Sequence, residues 1–116
     1  MIAYHEGDLC LVPFPFTDLT TSKKRPALIL ACTRPKKLPP LYVVAMVTSQ
    51  VESENIDGDC LLTSSKECGL LHPSKVRLTK LVTLEEKMIF SKLGSLVKKD
   101  KQGISKELSR VFKEWL

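Results

Sequence analysis

Leu41-Tyr42-Val43-Val44-Ala45-Met46-Val47-Thr48 decides how this chain folds. Its valines and tyrosine crowd χ1 in a helix and pack well on a pleated surface, so the run reads as a strand. Upstream, Pro26 leads into Ala27-Leu28-Ile29-Leu30-Ala31-Cys32, a continuous apolar run expected to be a strand buried on both faces. Further upstream, Gly7-Asp8 opens Leu9-Cys10-Leu11-Val12, a third strand, which Pro13 and Pro15 are expected to close to central pairing. Residues 17–25 and 34–40 are polar or proline-rich and read as loops.

Downstream, Asp57-Gly58 marks a turn before a short strand near Cys60–Thr63. From Lys75 the chain alternates: Val76 and Leu78 face one way, while Lys75, Arg77 and Thr79 are expected on an open, basic face. Met88-Ile89-Phe90 is another short apolar run, ended near Gly94. Ile104, Leu108, Val111, Phe112 and Trp115 then recur at helical spacing, so Ile104–Leu116 is expected to be an amphipathic helix, with Gly103 weakening its first turn. No helical pattern separates the strands, which excludes a doubly wound parallel sheet. The expected fold is α+β: a small antiparallel barrel with a C-terminal helix.

The 116 residues suit one domain, 1–116, and the 43% hydrophobic and 27% charged content is that of a globular protein. No apolar stretch is long enough for a membrane helix, and the acidic start MIAYHEGDL does not resemble a secretory signal, so a cytoplasmic protein with no membrane partner is expected. The net charge of +5 is unevenly distributed. Residues 1–50 carry six basic and three acidic side chains, residues 51–72 one and five, and residues 73–116 eleven and five. Two basic blocks flanking an acidic one favour an anionic partner such as nucleic acid, or a solvated lysine-rich surface.

Four cysteines, Cys10, Cys32, Cys60 and Cys68, form no CxxC pair and so supply no zinc site; Cys10 and Cys32 read as small buried hydrophobes. The glycine-rich phosphate loops, HExxH and GxSxG are absent, which removes the dinucleotide, P-loop, zincin and hydrolase-elbow classes. No cofactor or metal is expected. Two histidines remain, His5 and His72, both beside expected loops and neither within a motif.

Polar residues at strand ends are the other candidates. Arg25 follows Lys23 and Lys24 and precedes Pro26, so its planar fork of donors stands at the rim of the sheet beside a rigid neighbour, a geometry suited to phosphate. Thr48, Ser49 and Gln50 emerge where the Val-rich strand stops. A structural ion pair for Arg25 and a turn for Thr48 explain the same residues, and both readings stand open on the residues alone.

Gly7–Asp18, followed by Lys24-Arg25-Pro26-Ala27-Leu28-Ile29-Leu30, resembles the N-terminal signature of the MazF/PemK toxins, the ribonuclease halves of type II toxin–antitoxin systems. Val43–Gln50, Lys75–Leu84 and the terminal helix after Gly94 are similar to the later parts of that pattern, so the likeness spans nearly the whole chain in order. The resemblance implies an SH3-like barrel, a homodimer, and metal-independent cleavage of single-stranded RNA. It puts the family's catalytic arginine at Arg25 and its catalytic Thr or Ser at Thr48. Lys23, Lys24, Ser49, Gln50, Lys75 and Arg77 are then candidate RNA contacts, with Asp18 a candidate carboxylate to orient Arg25 and residues 34–40 and 51–59 the expected base-reading loops. A cognate antitoxin with an acidic disordered segment is the expected partner. The alternatives are a non-catalytic SH3-like barrel that binds nucleic acid or protein, and a related toxin acting on DNA gyrase.

Overall fold

The computed structural model describes residues 3–15 and 22–116. Six strands form one antiparallel sheet: β1 (Asp8–Pro15), β2 (Ser22–Cys32), β3 (Leu41–Thr48), β4 (Asp59–Leu61), β5 (Lys75–Glu85) and β6 (Ser91–Ser95). One helix, α1 (Lys98–Val111), follows, and a single 3₁₀ turn (Lys113–Trp115) ends the chain. The order across the sheet is β4-β5-β3-β2-β1-β6, and among the described residues no ladder joins β4 to β6. The α+β expectation holds, with an open sheet in place of the expected closed barrel.

Irregular pairing curls this sheet. Ala45 faces Leu81 while the next residue, Met46, faces Arg77, so β5 carries Leu78, Thr79 and Lys80 as extra length. A bulge of this kind bends its strand sharply. The bend lets the first part of β5 pair with β3 on one side and with β4 on the other.

Alternation along the central strands builds two cores. Leu9, Leu28, Ala45, Val47, Val76 and Leu78 pack with Leu96 and Ile104 on the helix side, while Cys10, Val12, Ala27, Ile29, Tyr42 and Val44 pack on the opposite side. Both faces of β2 and β3 are therefore covered, which is why these two runs lack polar alternation.

Several boundaries differ from expectation. β1 does not stop at Val12: it pairs with β2 through Pro13↔Lys24 and Pro15↔Ser22, so Lys23, Lys24 and Arg25 belong to a strand. The prolines are compatible with this because the polar groups of Leu11 face β6, where its carbonyl accepts the Phe90 N–H at 2.9 Å. By alternation, the nitrogens of Pro13 and Pro15 face that same side, beyond the last β6 partner. Met88–Phe90 turn out of the sheet, and β6 begins only at Ser91.

Helix α1 begins at Lys98, six residues earlier than its apolar stripe, and ends at Val111. Its opening turns are lysine-rich, with Asp100 buried among them. Among the described residues no helix is long and apolar enough to cross a membrane.

Candidate functional site

β2, the end of β3 and the loop between β4 and β5 enclose a cleft of about 280 Å³, whose lining includes Arg25, Pro26, Ser49, His72 and Ser74. Arg25 reaches it from β2, where it stands opposite Val12 of β1. Extending the Ala27↔Met46 register by two residues on each strand sets Arg25 opposite Thr48.

Thr48 is buried, and its Oγ1 accepts the Gln50 N–H at 3.1 Å. That bond turns the chain at the strand end and brings Ser49 into the cleft. The Gln50 carbonyl accepts the Ser53 hydroxyl at 2.7 Å and the Ser53 N–H at 3.1 Å, which fixes the turn from the other side. Thr48 and the exposed Gln50 lie outside the cleft lining. A hydroxyl that accepts one bond keeps its own proton to donate, so Thr48 still has a donor next to Arg25.

The loop of residues 62–74 forms the far wall and is held rigidly. Leu62 N–H donates to the Ser74 carbonyl at 3.0 Å, Ser74 N–H to Ser65 Oγ at 3.1 Å, and Ser74 Oγ to the His72 carbonyl at 2.8 Å. The buried Asp100 anchors the loop to α1: its Oδ1 accepts from Thr63 N–H at 2.8 Å and Thr63 Oγ1 at 2.7 Å, and its Oδ2 from Ser64 N–H at 3.2 Å. Gly69 has φ +91° and packs so closely on β6 that a Cβ there would run into the Leu93 carbonyl. His72 is presented from this frame. His5, the other histidine, lies in the turn before β1, away from the cleft.

Lys75 and Arg77 do not form the open basic face expected of them. Lys75 is 2% exposed, with Nζ donating to the Ser53 carbonyl and to Asn55 Oδ1, both at 2.9 Å, and lying 3.3 Å from Asp59 Oδ2. Arg77 Nη2 donates to Ser53 Oγ at 3.1 Å, with Nε 3.6 Å from Asp59 Oδ1. The acidic segment has folded back over the strand and set Asp59 against both cations. Two of the three charge blocks seen in the sequence thus meet inside the molecule.

Lys23 and Lys24 are exposed on β2, and Lys24 Nζ sits 4.4 Å from the centroid of the Phe90 ring, a cation–π distance. Asp18 lies outside the described residues. Burial is the largest cause raising all four thiols; Cys10 is pushed up to about 11 and is fully buried, whereas Cys32 is only half-buried, contrary to expectation. Thiols so shifted are poor nucleophiles near neutral pH. Among the described residues no three His, Cys, Asp or Glu side chains gather as a metal site would require.

The chain is similar in fold to the Mycobacterium tuberculosis toxin MazF-mt6, with TM-score 0.68 and 20% identity over 91% of this chain and 96% of that one. A second M. tuberculosis toxin superposes with TM-score 0.64 and 20% identity, over 90% of this chain and 99% of its own. At that identity the likeness establishes the fold. A search of curated proteins gave no significant match. The family model of the PemK-like, MazF-like toxins of type II toxin–antitoxin systems matches residues 5–112, nearly the whole chain. With that match over the strands and loop that build the cleft, the chain belongs to the PemK/MazF-like toxin family, whose members are paired with antitoxins.

Proposed function

We propose that this protein is a metal-independent, sequence-selective endoribonuclease that cuts single-stranded RNA by attack of a ribose 2′-OH on the adjacent phosphorus. The products are a 2′,3′-cyclic phosphate and a fragment with a 5′-hydroxyl. The observation that carries the reading is that Arg25 and Ser49 both line one small cleft in a chain of this toxin family. Such donors suit the charge that builds on the phosphorane oxygens in the transition state. No carboxylate lines the cleft among the described residues, so its donor set favours an anion over a divalent cation.

In this mechanism Arg25 binds and stabilises the phosphoryl oxygens through its fork of donors. Thr48 holds the turn that carries Ser49 and through it orients the phosphate. Lys23 and Lys24 bind the backbone on either side. The loop of residues 51–59, pinned by Lys75 and Arg77, together with residues 34–40, reads bases. The active form is a homodimer, and its inhibitor is an antitoxin whose acidic segment occupies the cationic strand.

The test is incubation of the purified protein with a long RNA, with and without EDTA, followed by mapping of the 5′ ends. Discrete 5′-hydroxyl ends at recurring sequences in both samples are expected. No cleavage, or cleavage restored only by Mg²⁺, would overturn the proposal.

A further inference from the structure

Cleavage by 2′-OH attack leaves a question of protons. The departing O5′ must gain one, and an alkoxide leaving without it is a poor leaving group. Arginine holds its protons too tightly to serve, and a serine hydroxyl is a weak acid. Among the described residues lining the cleft, His72 is the one side chain of a type that gives and takes a proton near neutral pH.

We infer that His72 is the general acid of this cleft, protonating the departing 5′ oxygen. The inference rests on the ribonuclease reading above. In the step, the bond from the 2′ oxygen to phosphorus forms as the bond from phosphorus to O5′ breaks. The 2′ proton passes to water in the open cleft, the His72 proton goes to O5′, and the neutral imidazole is recharged from solvent. No oxidant, reductant or metal takes part.

The geometry supports a precise role. His72 sits between Leu71, which is 92% exposed, and Pro73, whose ring fixes its own φ. The Ser74 hydroxyl holds the His72 carbonyl, Ser65 holds Ser74, and buried Asp100 holds the start of the loop. A general acid has to stand within hydrogen-bond reach of the atom it protonates, and a rigid frame meets that need better than a free loop. Arg25 lines the cleft opposite, and Lys66 and Glu67 line the neighbouring hollow that His72 also borders. Those are the charged groups that share His72's two clefts.

The full-length protein is assayed on two versions of one short RNA containing a mapped cleavage site: the natural 5′ oxygen, and a sulfur in its place. Sulfur leaves without protonation, so it removes the need for a general acid. Wild-type cleavage of the oxygen substrate is established first, and its absence would sink the ribonuclease reading itself. Given that cleavage, His72→Ala is expected to lose about a hundredfold on the oxygen substrate and to approach wild type on the sulfur substrate. The alkaline fall in the wild-type rate on the oxygen substrate should vanish in the variant. His5→Ala serves as the control, unchanged on both substrates. Equal loss on both substrates would mean that His72 positions RNA, and no loss on either would mean that it takes no part; each overturns the inference.

Discussion

Lys75 Nζ lies 3.3 Å from Asp59 Oδ2 with the two side chains only 2% and 3% exposed, so a lysine that alternation assigns to an open face is paired and sealed beneath an acidic loop. The pair is completed by the Ser53 carbonyl and Asn55 Oδ1, which satisfy the remaining ammonium protons. Removing one member of a buried pair strands the other charge in a low-dielectric setting. Asp59→Asn is therefore expected to cost about 3 kcal/mol in urea unfolding at neutral pH. A loss under about 0.5 kcal/mol, the usual range of surface changes, would contradict the buried pairing. The folded fraction of the same variant should also lose base preference, because the loop of residues 51–59 is released.

Arg25 and Thr48 separate two contributions to catalysis. Arg25→Ala should keep the fold, since the side chain is only half-buried, and lower RNA cleavage by roughly a hundredfold or more, the scale of a lost oxyanion donor. Thr48→Ser keeps the hydroxyl that accepts the Gln50 N–H and should retain most activity, whereas Thr48→Ala loses the bond that holds the turn carrying Ser49 and should fall like Arg25→Ala. Single-turnover rates measured alongside circular dichroism distinguish chemistry from unfolding. A folded Arg25→Ala protein with near-normal rates would remove Arg25 from the site.

How far the sequence foretells this arrangement depends on how local each cause is. The Val-rich β3 and the apolar β2 are legible because strand propensity and burial on both faces act within eight or ten residues. Val76 and Leu78 are correctly inward for the same reason. The fate of Lys75 and Arg77 is not local: period-2 alternation says which face they share, not whether a distant segment covers that face. The early start of α1 is hidden because Lys98–Gln102 is polar, and Asp100 is buried to hold Thr63 and Ser64, a contact 36 or 37 residues away in sequence. Arg25 stands out through its neighbour Pro26. His72 carries no such local signal, and only the return of its loop against β2 brings it to the same cleft.

Acid should unlock the start of β1. Asp8 Oδ1 accepts from Ser95 Oγ at 2.9 Å and lies 3.4 Å from Lys92 Nζ, while Oδ2 accepts the His5 N–H at 2.9 Å. Burial alone would raise this carboxyl, but the His5 N–H, the Ser95 hydroxyl and the Lys92 ammonium together hold it below its ordinary value of 3.8. A depressed folded pKa contributes stability that is present above the unfolded value and is lost as pH falls through the folded one. Asp8→Asn should thus be less stable than wild type at pH 7 by about 1–2 kcal/mol, with the gap closing below about pH 4. An unchanged gap at pH 2.5 would show that the Asp8 charge is not its source.

Assembly is testable at the chain's end. Trp115 and Leu116 are 86% and 85% exposed, beside an apolar groove of about 490 Å³ that Leu28, Leu30, Ile104, Leu108 and Phe112 help to line. An isologous dimer would bury such a surface twice. Light scattering at micromolar concentration should give twice the 13.0 kDa chain mass, and Leu116→Asp should weaken the dimer at least tenfold without altering the monomer's thermal transition. A wild-type mass of one chain would overturn the dimer.

Control by the antitoxin should run through charge, but over a narrower surface than the sequence suggests. With Lys75 and Arg77 both turned onto Asp59 beneath the acidic loop, the exposed cationic stretch expected to meet an anion is Lys23 and Lys24 leading to Arg25. An acidic, disordered segment with a few apolar anchors would fold onto that strand and exclude RNA from the cleft. Its association rate should fall as salt rises, because exposed charges are screened over about 8–10 Å at 0.1–0.15 M salt. Lys23→Glu with Lys24→Glu should then slow association by at least tenfold, whereas Lys75→Met should leave it unchanged in the folded protein. Salt sensitivity alone would also follow from unspecific attraction, so competition is the decisive measurement. A peptide of the antitoxin's acidic segment that binds tightly yet leaves RNA affinity and cleavage untouched would move the inhibitory site away from Arg25.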